Sequence, residues 1–151
     1  MLSGPRDLYE ENPPGRGAAR ERLRGFLDEL RAQSPHLPLL LGGFSQGGML
    51  ACDTVLCARQ RVSGLAMLSS SRIAFEEWQA NCEALDGLPV LVSHGTQDAD
   101  LAFSAGEALR DFYRNSGARV TWQPFEGGHE IPLVAWRALR RLIAELTRKT
   151  A

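Results

Sequence analysis

Three short segments hold side chains of the types that nucleophilic catalysis requires. The first is Gly43-Phe44-Ser45-Gln46-Gly47-Gly48, which follows the apolar run Leu39-Leu40-Leu41 and leads into an apolar helical segment. A strand, a sharp turn bearing a serine and then a helix is the setting of a GxSxG elbow, where a strained backbone pushes the hydroxyl out at the carboxyl end of the strand. Glycine suits positions 43 and 47 because a Cβ at either is expected to collide where strand and helix approach. A serine hydroxyl at neutral pH is a poor nucleophile, so it needs a base within hydrogen-bond reach and a third group to orient that base. His129, in Phe125-Glu126-Gly127-Gly128-His129-Glu130-Ile131, offers an imidazole from a glycine-rich loop. Asp98, in His94-Gly95-Thr96-Gln97-Asp98, offers a carboxylate directly after an apolar run. The N–H of Gln46 follows the serine and opens a helix, so it is placed to donate to an oxyanion.

Apolar periodicity supplies the frame for these loops. Ala19, Leu23, Phe26, Leu27 and Leu30 recur at helical spacing and predict a helix over about residues 15–32 with one buried stripe. Residues 37–41 read as the strand feeding the elbow, and 47–59 as a helix apolar on nearly all faces, which implies burial against a sheet. A short strand over 65–68 precedes the run Ser69-Ser70-Ser71 and a weaker helix containing Phe75, Trp78 and Cys82. Pro89-Val90-Leu91-Val92-Ser93-His94 is apolar without alternation, the pattern of a parallel strand covered on both faces. Leu101, Ala105, Ala108, Leu109 and Phe112 form the next helical stripe, stopped by Gly117, and residues 120–123 make a fourth strand. A last helix over about 132–148 sets Leu133, Trp136, Leu139, Ile143 and Leu146 on one side. Strands and helices alternating in this way build a parallel sheet with right-handed crossovers. The loops bearing Ser45, Asp98 and His129 then emerge at the same end of that sheet.

Composition narrows the function classes. The 151 residues suffice for one domain with a real core, 44% of them hydrophobic and 23% charged, with a net charge of −1. That balance gives no basic field for nucleic acid and no polybasic stretch for an anionic membrane. Residues 1–15 are polar, with several prolines and acids, and no stretch approaches membrane-span length, so no membrane span and a cytoplasmic location are expected. Cys52, Cys57 and Cys82 lack CxxC spacing, and two of them fall in the helix after Ser45. They read as small buried apolar residues rather than zinc ligands, and neither a metal nor an organic cofactor is expected.

The chain order Ser45, Asp98, His129 is that of α/β-hydrolases. GFSQGG, HGTQD and GGHEI moreover resemble the signature segments of the carboxylesterase/phospholipase family that includes acyl-protein thioesterases, with the resemblance spanning roughly residues 37–146. It implies an α/β-hydrolase-type domain over 1–151: a mainly parallel sheet of about four strands with flanking helices, the N-terminal strands of the complete fold being absent. It further implies Ser45 as nucleophile, Asp98 as the acid and His129 as general base, in a hydrolase of small carboxylic esters or thioesters. In that family a second oxyanion donor comes from a His-Gly-Gly-like loop after an earlier strand, which this sequence does not contain, and Ala99-Asp100-Leu101 departs from the family's Val-Pro continuation. The alternative reading is a truncated, catalytically weak or inactive hydrolase-like interaction module. With no upstream strand to cover it, one edge of 37–41 is expected to be bare, and a bare apolar edge is a template for association. A homo-oligomer through that edge is therefore expected, with an N–H of Leu2-Ser3-Gly4 as the candidate second donor.

Other residues of suitable type admit structural readings. Asp98 and Asp100 both suit a helix N-cap before Leu101, Asp100 being the better placed, and Asp100 is the alternative acid. His94, at a strand end, suits a local hydrogen bond, and His36 reads as a surface loop residue. Trp78, Trp122 and Trp136 stand at core spacings and read as packing. The acyl pocket is expected between residues 69–78 and the loop after Asp98.

Overall fold

A computed structural model describes residues 4–148. Among the described residues, strands and helices alternate along the chain as α1 (Arg16–Gln33), β1 (Leu40–Phe44), α2 (Gln46–Cys57), β2 (Gly64–Leu68), α3 (Phe75–Ala80), β3 (Pro89–Gly95), α4 (Phe103–Asn115), β4 (Arg119–Phe125) and α5 (Leu133–Arg148), with a 3-10 turn Cys82–Leu85 after α3. Sheet order follows chain order, β1-β2-β3-β4, and every pair is parallel. Leu41 lies opposite Leu65, Leu65 opposite Val90 and Val90 opposite Val120, so one row of aliphatic side chains crosses the sheet.

Both faces of the central strands are covered, which is why β3 reads as continuously apolar. On one face Val55, Leu65, Met67, Val92 and Leu109 pack together with Trp78 beneath α2 and α4. On the other, Ala66, Leu68 and Leu91 meet Ala138, Leu142 and Leu146 of α5. Among the described residues no helix is long and apolar enough to cross a membrane.

Several elements differ from the periodicity reading in ways that packing explains. β1 starts later than residue 37 and runs through Phe44, so Gly42 and Gly43 are strand residues. Ser63 fixes its entry: the Leu39 N–H donates to Ser63 Oγ at 3.0 Å, and the Leu39 carbonyl accepts from the Ser63 N–H at 2.7 Å. On α5 the buried stripe is Ala135, Ala138, Leu142 and Leu146, while Leu133, Trp136 and Ile143 face outward. Ala138, Leu142 and Leu146 are the residues of α5 that pack with Ala66, Leu68 and Leu91 of the sheet, and that contact chooses the face. Trp136 is accordingly not a core residue, in contrast to the fully buried Trp78.

α1 likewise buries only Leu27, with Phe26 and Leu30 exposed. Charge fastens it instead. Asp53 of α2, wholly buried, accepts from Arg16 Nη1 at 2.7 Å, Arg20 Nη1 at 3.0 Å and Trp78 Nε1 at 2.9 Å. Arg16 and Arg20 stand four apart and so share one helix face, which lets both guanidiniums reach one carboxylate. A helix that reads as apolar on nearly all faces thus holds a single buried charge that ties it to α1 and α3.

Candidate active site

The Ser45 elbow is built from backbone sterics. Ser45 has φ 55 and ψ −119, a conformation that costs a residue with a Cβ about 1–3 kcal/mol and persists only where neighbours hold it. Its N–H donates to the Leu68 carbonyl at 2.8 Å, and its carbonyl accepts from the Gly48 N–H at 3.1 Å and from Ser70 Oγ at 2.8 Å. A Cβ at Gly43 would stand 2.1 Å from the Gly47 carbonyl carbon, so glycine is obligatory there. Gly47 does not share that constraint: a Cβ there meets nothing within 4 Å, contrary to the expectation from the motif. The helix-side contact falls one residue later, at Gly48, where a Cβ would meet Ser70 Oγ at 2.8 Å.

Asp98 emerges directly after β3 with its side chain wholly buried. Oδ1 accepts from the N–H groups of Asp100 and Leu101, both at 2.9 Å, and Oδ2 lies 2.8 Å from His129 Nδ1. Burial works against its charge, but the bonds from His129, Leu101 and Asp100 prevail and hold its pKa below the usual aspartate value. Asp98 is therefore not the helix cap considered for it: one oxygen fixes the turn before α4 and the other faces the imidazole. Asp100 is exposed at the cleft and does not cap α4, whose N-cap is Ala102. His94, buried beneath this turn, directs Nε2 to the Leu101 carbonyl at 2.9 Å, the local bond expected of it.

The His129 loop is stitched to the Asp98 loop by the Thr96 N–H, which donates to the Phe125 carbonyl at 2.9 Å, and the Gln97 N–H, which donates to the Gly127 carbonyl at 2.8 Å. A carboxylate can only accept, so His129 Nδ1 carries the proton toward Asp98 and Nε2 is left as the acceptor. Ser45 Oγ lies 3.0 Å from that Nε2. The ring of Phe44 leans against the imidazole, centroid to centroid 4.7 Å. Gln46 stands at the first turn of α2 beside Ser45.

These groups open into a cleft of about 790 Å³. Met49, Leu50, Ile73 and Leu101 give it an apolar wall, and residues 6, 8 and 13–16 close it from the N-terminal side. Sequence reasoning missed that second wall: it gave only Leu2-Ser3-Gly4 of the N-terminal segment a part in the site and read the rest as a polar stretch. It is held by the Arg6 N–H donating to the Asp100 carbonyl at 3.1 Å, the Ala102 N–H to the Arg6 carbonyl at 2.9 Å and the Leu8 N–H to Ser71 Oγ at 3.0 Å. Leu8 and Pro13-Pro14, apolar among charged neighbours, are its only trace in the sequence.

One group of three metal-type side chains comes together among the described residues, Asp98, Asp100 and His129, with ligand atoms within 4.8 Å of one another. Asp98 Oδ2 and His129 Nδ1 are already hydrogen-bonded, so a cation there would have to break that bond. Of the cysteines only Cys52 is fully buried, Cys57 and Cys82 being half-buried. Burial raises the Cys52 thiol and, with Asp53 nearby, pushes Cys57 up to about 12, so both stay protonated near neutrality.

With this geometry the chain belongs to the Phospholipase/Carboxylesterase family of α/β-hydrolases, whose model matches residues 24–146. It is similar to acyl-protein thioesterase 1 of Neurospora crassa, 28% identical over 127 residues that make up 82% of this chain and 52% of that protein. A probable carboxylesterase SOBER1-like protein of Arabidopsis thaliana is 35% identical over 92 residues, 59% of this chain and 35% of that one. The crystal structure of Arabidopsis thaliana SOBER1 superposes with a TM-score of 0.76 at 26% identity, covering 87% of this chain and 64% of that chain. The chain spans about half the length, or less, of the curated relatives it matches.

Proposed function

We propose that the chain is a serine hydrolase that cleaves small carboxylic esters or thioesters through an acyl-enzyme on Ser45. The observation that supports this reading is the unbroken chain Ser45 Oγ, His129, Asp98, with separations of 3.0 and 2.8 Å, opening on an apolar cleft. Ser45 Oγ attacks the acyl carbonyl while His129 Nε2 takes its proton, and Asp98 stabilises the imidazolium that forms. The Gln46 N–H, at the positive end of α2, donates to the oxyanion. As the tetrahedral intermediate collapses, the C–O or C–S bond breaks and His129 returns the proton to the departing alcohol or thiol. Water then attacks the acyl-enzyme with His129 again as base, releasing the acid and restoring the serine hydroxyl.

Both substrate classes occur in the names of the relatives, carboxylesterase and acyl-protein thioesterase. A site with one oxyanion donor where two operate loses about 10²–10³ in turnover, which leaves a weak enzyme rather than none. Purified protein tested on a p-nitrophenyl ester and on a matching thioester should turn over at least one of them, and Ser45→Ala should abolish that turnover. Turnover that survives Ser45→Ala overturns the reading. Absence of turnover in the wild-type protein favours the second reading, an interaction module, which the edge position of β1, paired only with β2 among the described residues, supports.

A further inference from the structure

We infer that the serine run Ser69-Ser70-Ser71, directly after β2, is the positioning device of this site, each hydroxyl setting a different part of it; the inference rests on Ser45 being the nucleophile. All three serines are buried. A buried hydroxyl in a loop after a parallel strand most simply satisfies a nearby backbone group. Here each one bonds to a different distant segment. Ser70 Oγ donates to the carbonyl of Ser45, 25 residues away, at 2.8 Å. Ser69 Oγ donates to the carbonyl of Glu130, the residue after the base, at 2.9 Å. Ser71 Oγ accepts from the N–H of Leu8, on the N-terminal wall of the cleft, at 3.0 Å, and donates to the Arg72 carbonyl at 2.9 Å.

The run is itself anchored, so its hydroxyls serve as fixed points. The Ser69 N–H donates to the Ser93 carbonyl of β3 at 2.8 Å, and Ser69 holds a positive φ of 50. The preceding residue, Leu68, accepts the Ser45 N–H, so the elbow is gripped at its N–H by β2 and at its carbonyl by Ser70. A positive-φ nucleophile relaxes unless several bonds hold it, and a displacement near 1 Å in a reacting group costs on the order of 10²-fold in rate. Ser70 therefore governs the nucleophile, Ser69 the base loop and Ser71 the cleft wall. The Gly48 N–H remains on the Ser45 carbonyl when Ser70 loses its hydroxyl, so the elbow's fold does not depend on that bond alone.

Steady-state kinetics of Ser69→Ala, Ser70→Ala and Ser71→Ala across pH, together with the rate at which a fluorophosphonate labels Ser45, separate the three roles. Ser70→Ala should lower kcat about 10–100-fold and slow labelling by a similar factor, with KM within about twofold. Ser69→Ala should lower kcat and move the midpoint of its pH profile, because the imidazole loses its fixed place. Ser71→Ala should raise KM several-fold while kcat stays within about twofold. The melting temperature of each variant establishes that it is folded; should Ser70→Ala not fold, the contrast between Ser69→Ala and Ser71→Ala carries the same test. Three variants with wild-type constants, or with one common loss in kcat, would overturn the inference. Wild-type protein that takes no label at Ser45 would instead sink the nucleophile assignment beneath it.

Discussion

A single carboxylate oxygen, Oδ2 of Asp98, stands between two imidazoles: His129 Nδ1 lies 2.8 Å away and His94 Nε2 3.4 Å away. The shorter bond of His94 goes to the Leu101 carbonyl, and Leu101 returns its N–H to the other oxygen of Asp98. Oδ1 of Asp98 is thereby held by the Asp100 and Leu101 N–H groups, and Oδ2 is left to face the imidazoles.

Asp98→Asn should cut kcat/KM by about 10²–10⁴, since an amide presents a donor where Nδ1–H needs an acceptor and so favours the wrong tautomer. His94→Gln, which leaves the His129 bond in place, should cost far less. Because Asp98 is held below its ordinary pKa, it stays charged wherever an imidazole titrates. Asp98 should therefore add no ionisation of its own to the profile of log kcat/KM near neutrality. The sign for stability follows from the same shift: a folded pKa below the unfolded one adds stability above the unfolded value, and that stability is lost as pH falls through the folded value. Urea titrations of Asp98→Asn should show its deficit against wild type largest near neutrality and shrinking in acid. A deficit that grows in acid would contradict the assignment.

The charge network under the site makes an independent prediction. Asp53→Ala removes the acceptor of Arg20 and of the Trp78 indole and one of the acceptors of Arg16, which keeps Glu77 and Asn12, and breaking one side of a buried ion pair costs about 3–5 kcal/mol. Chemical denaturation should show that loss. A change below about 1 kcal/mol would mean that α1 is held by other contacts.

How much of this was legible beforehand depended on whether the deciding physics was local. Turn chemistry and strand-helix alternation are local, so GFSQGG, HGTQD and GGHEI could be set at the ends of parallel strands, and Ser45, Asp98 and His129 do come within hydrogen-bond reach. Choices made by tertiary contact were not legible. On α5 the apolar residues are too numerous for period alone to pick a face, and packing of Ala138, Leu142 and Leu146 on the sheet decides it. Asp53 resembles one stray acid in an apolar helix until α1 brings two arginines over it. Phe44, the variable residue of the motif, is placed against His129 by the extension of β1 to its position, a tertiary contact that the motif does not encode.

Association through β1 is the third prediction. Among the described residues β1 pairs only with β2, and Leu37 and Phe44 leave apolar surface at or beside the strand, Leu37 being 70% exposed. We expect light scattering at micromolar concentration to give a mass above that of one chain, and Leu37→Lys to lower it. A monodisperse monomer would contradict this. Leu2 and Ser3, considered above as donors across that edge, lie outside the described residues, and Gly4 is exposed. Deleting residues 1–4 tests them directly, since an unchanged kcat removes them as donors.

The central claim is that Ser45 is the one activated serine of the chain. Incubating the purified protein with a fluorophosphonate and mapping the adduct by peptide mass spectrometry tests it most directly, alongside Ser45→Ala and His129→Gln. The account predicts a single adduct on Ser45, absent from Ser45→Ala and formed far more slowly in His129→Gln. An adduct on Ser69, Ser70 or Ser71, or labelling of Ser45 at an undiminished rate without His129, would contradict it.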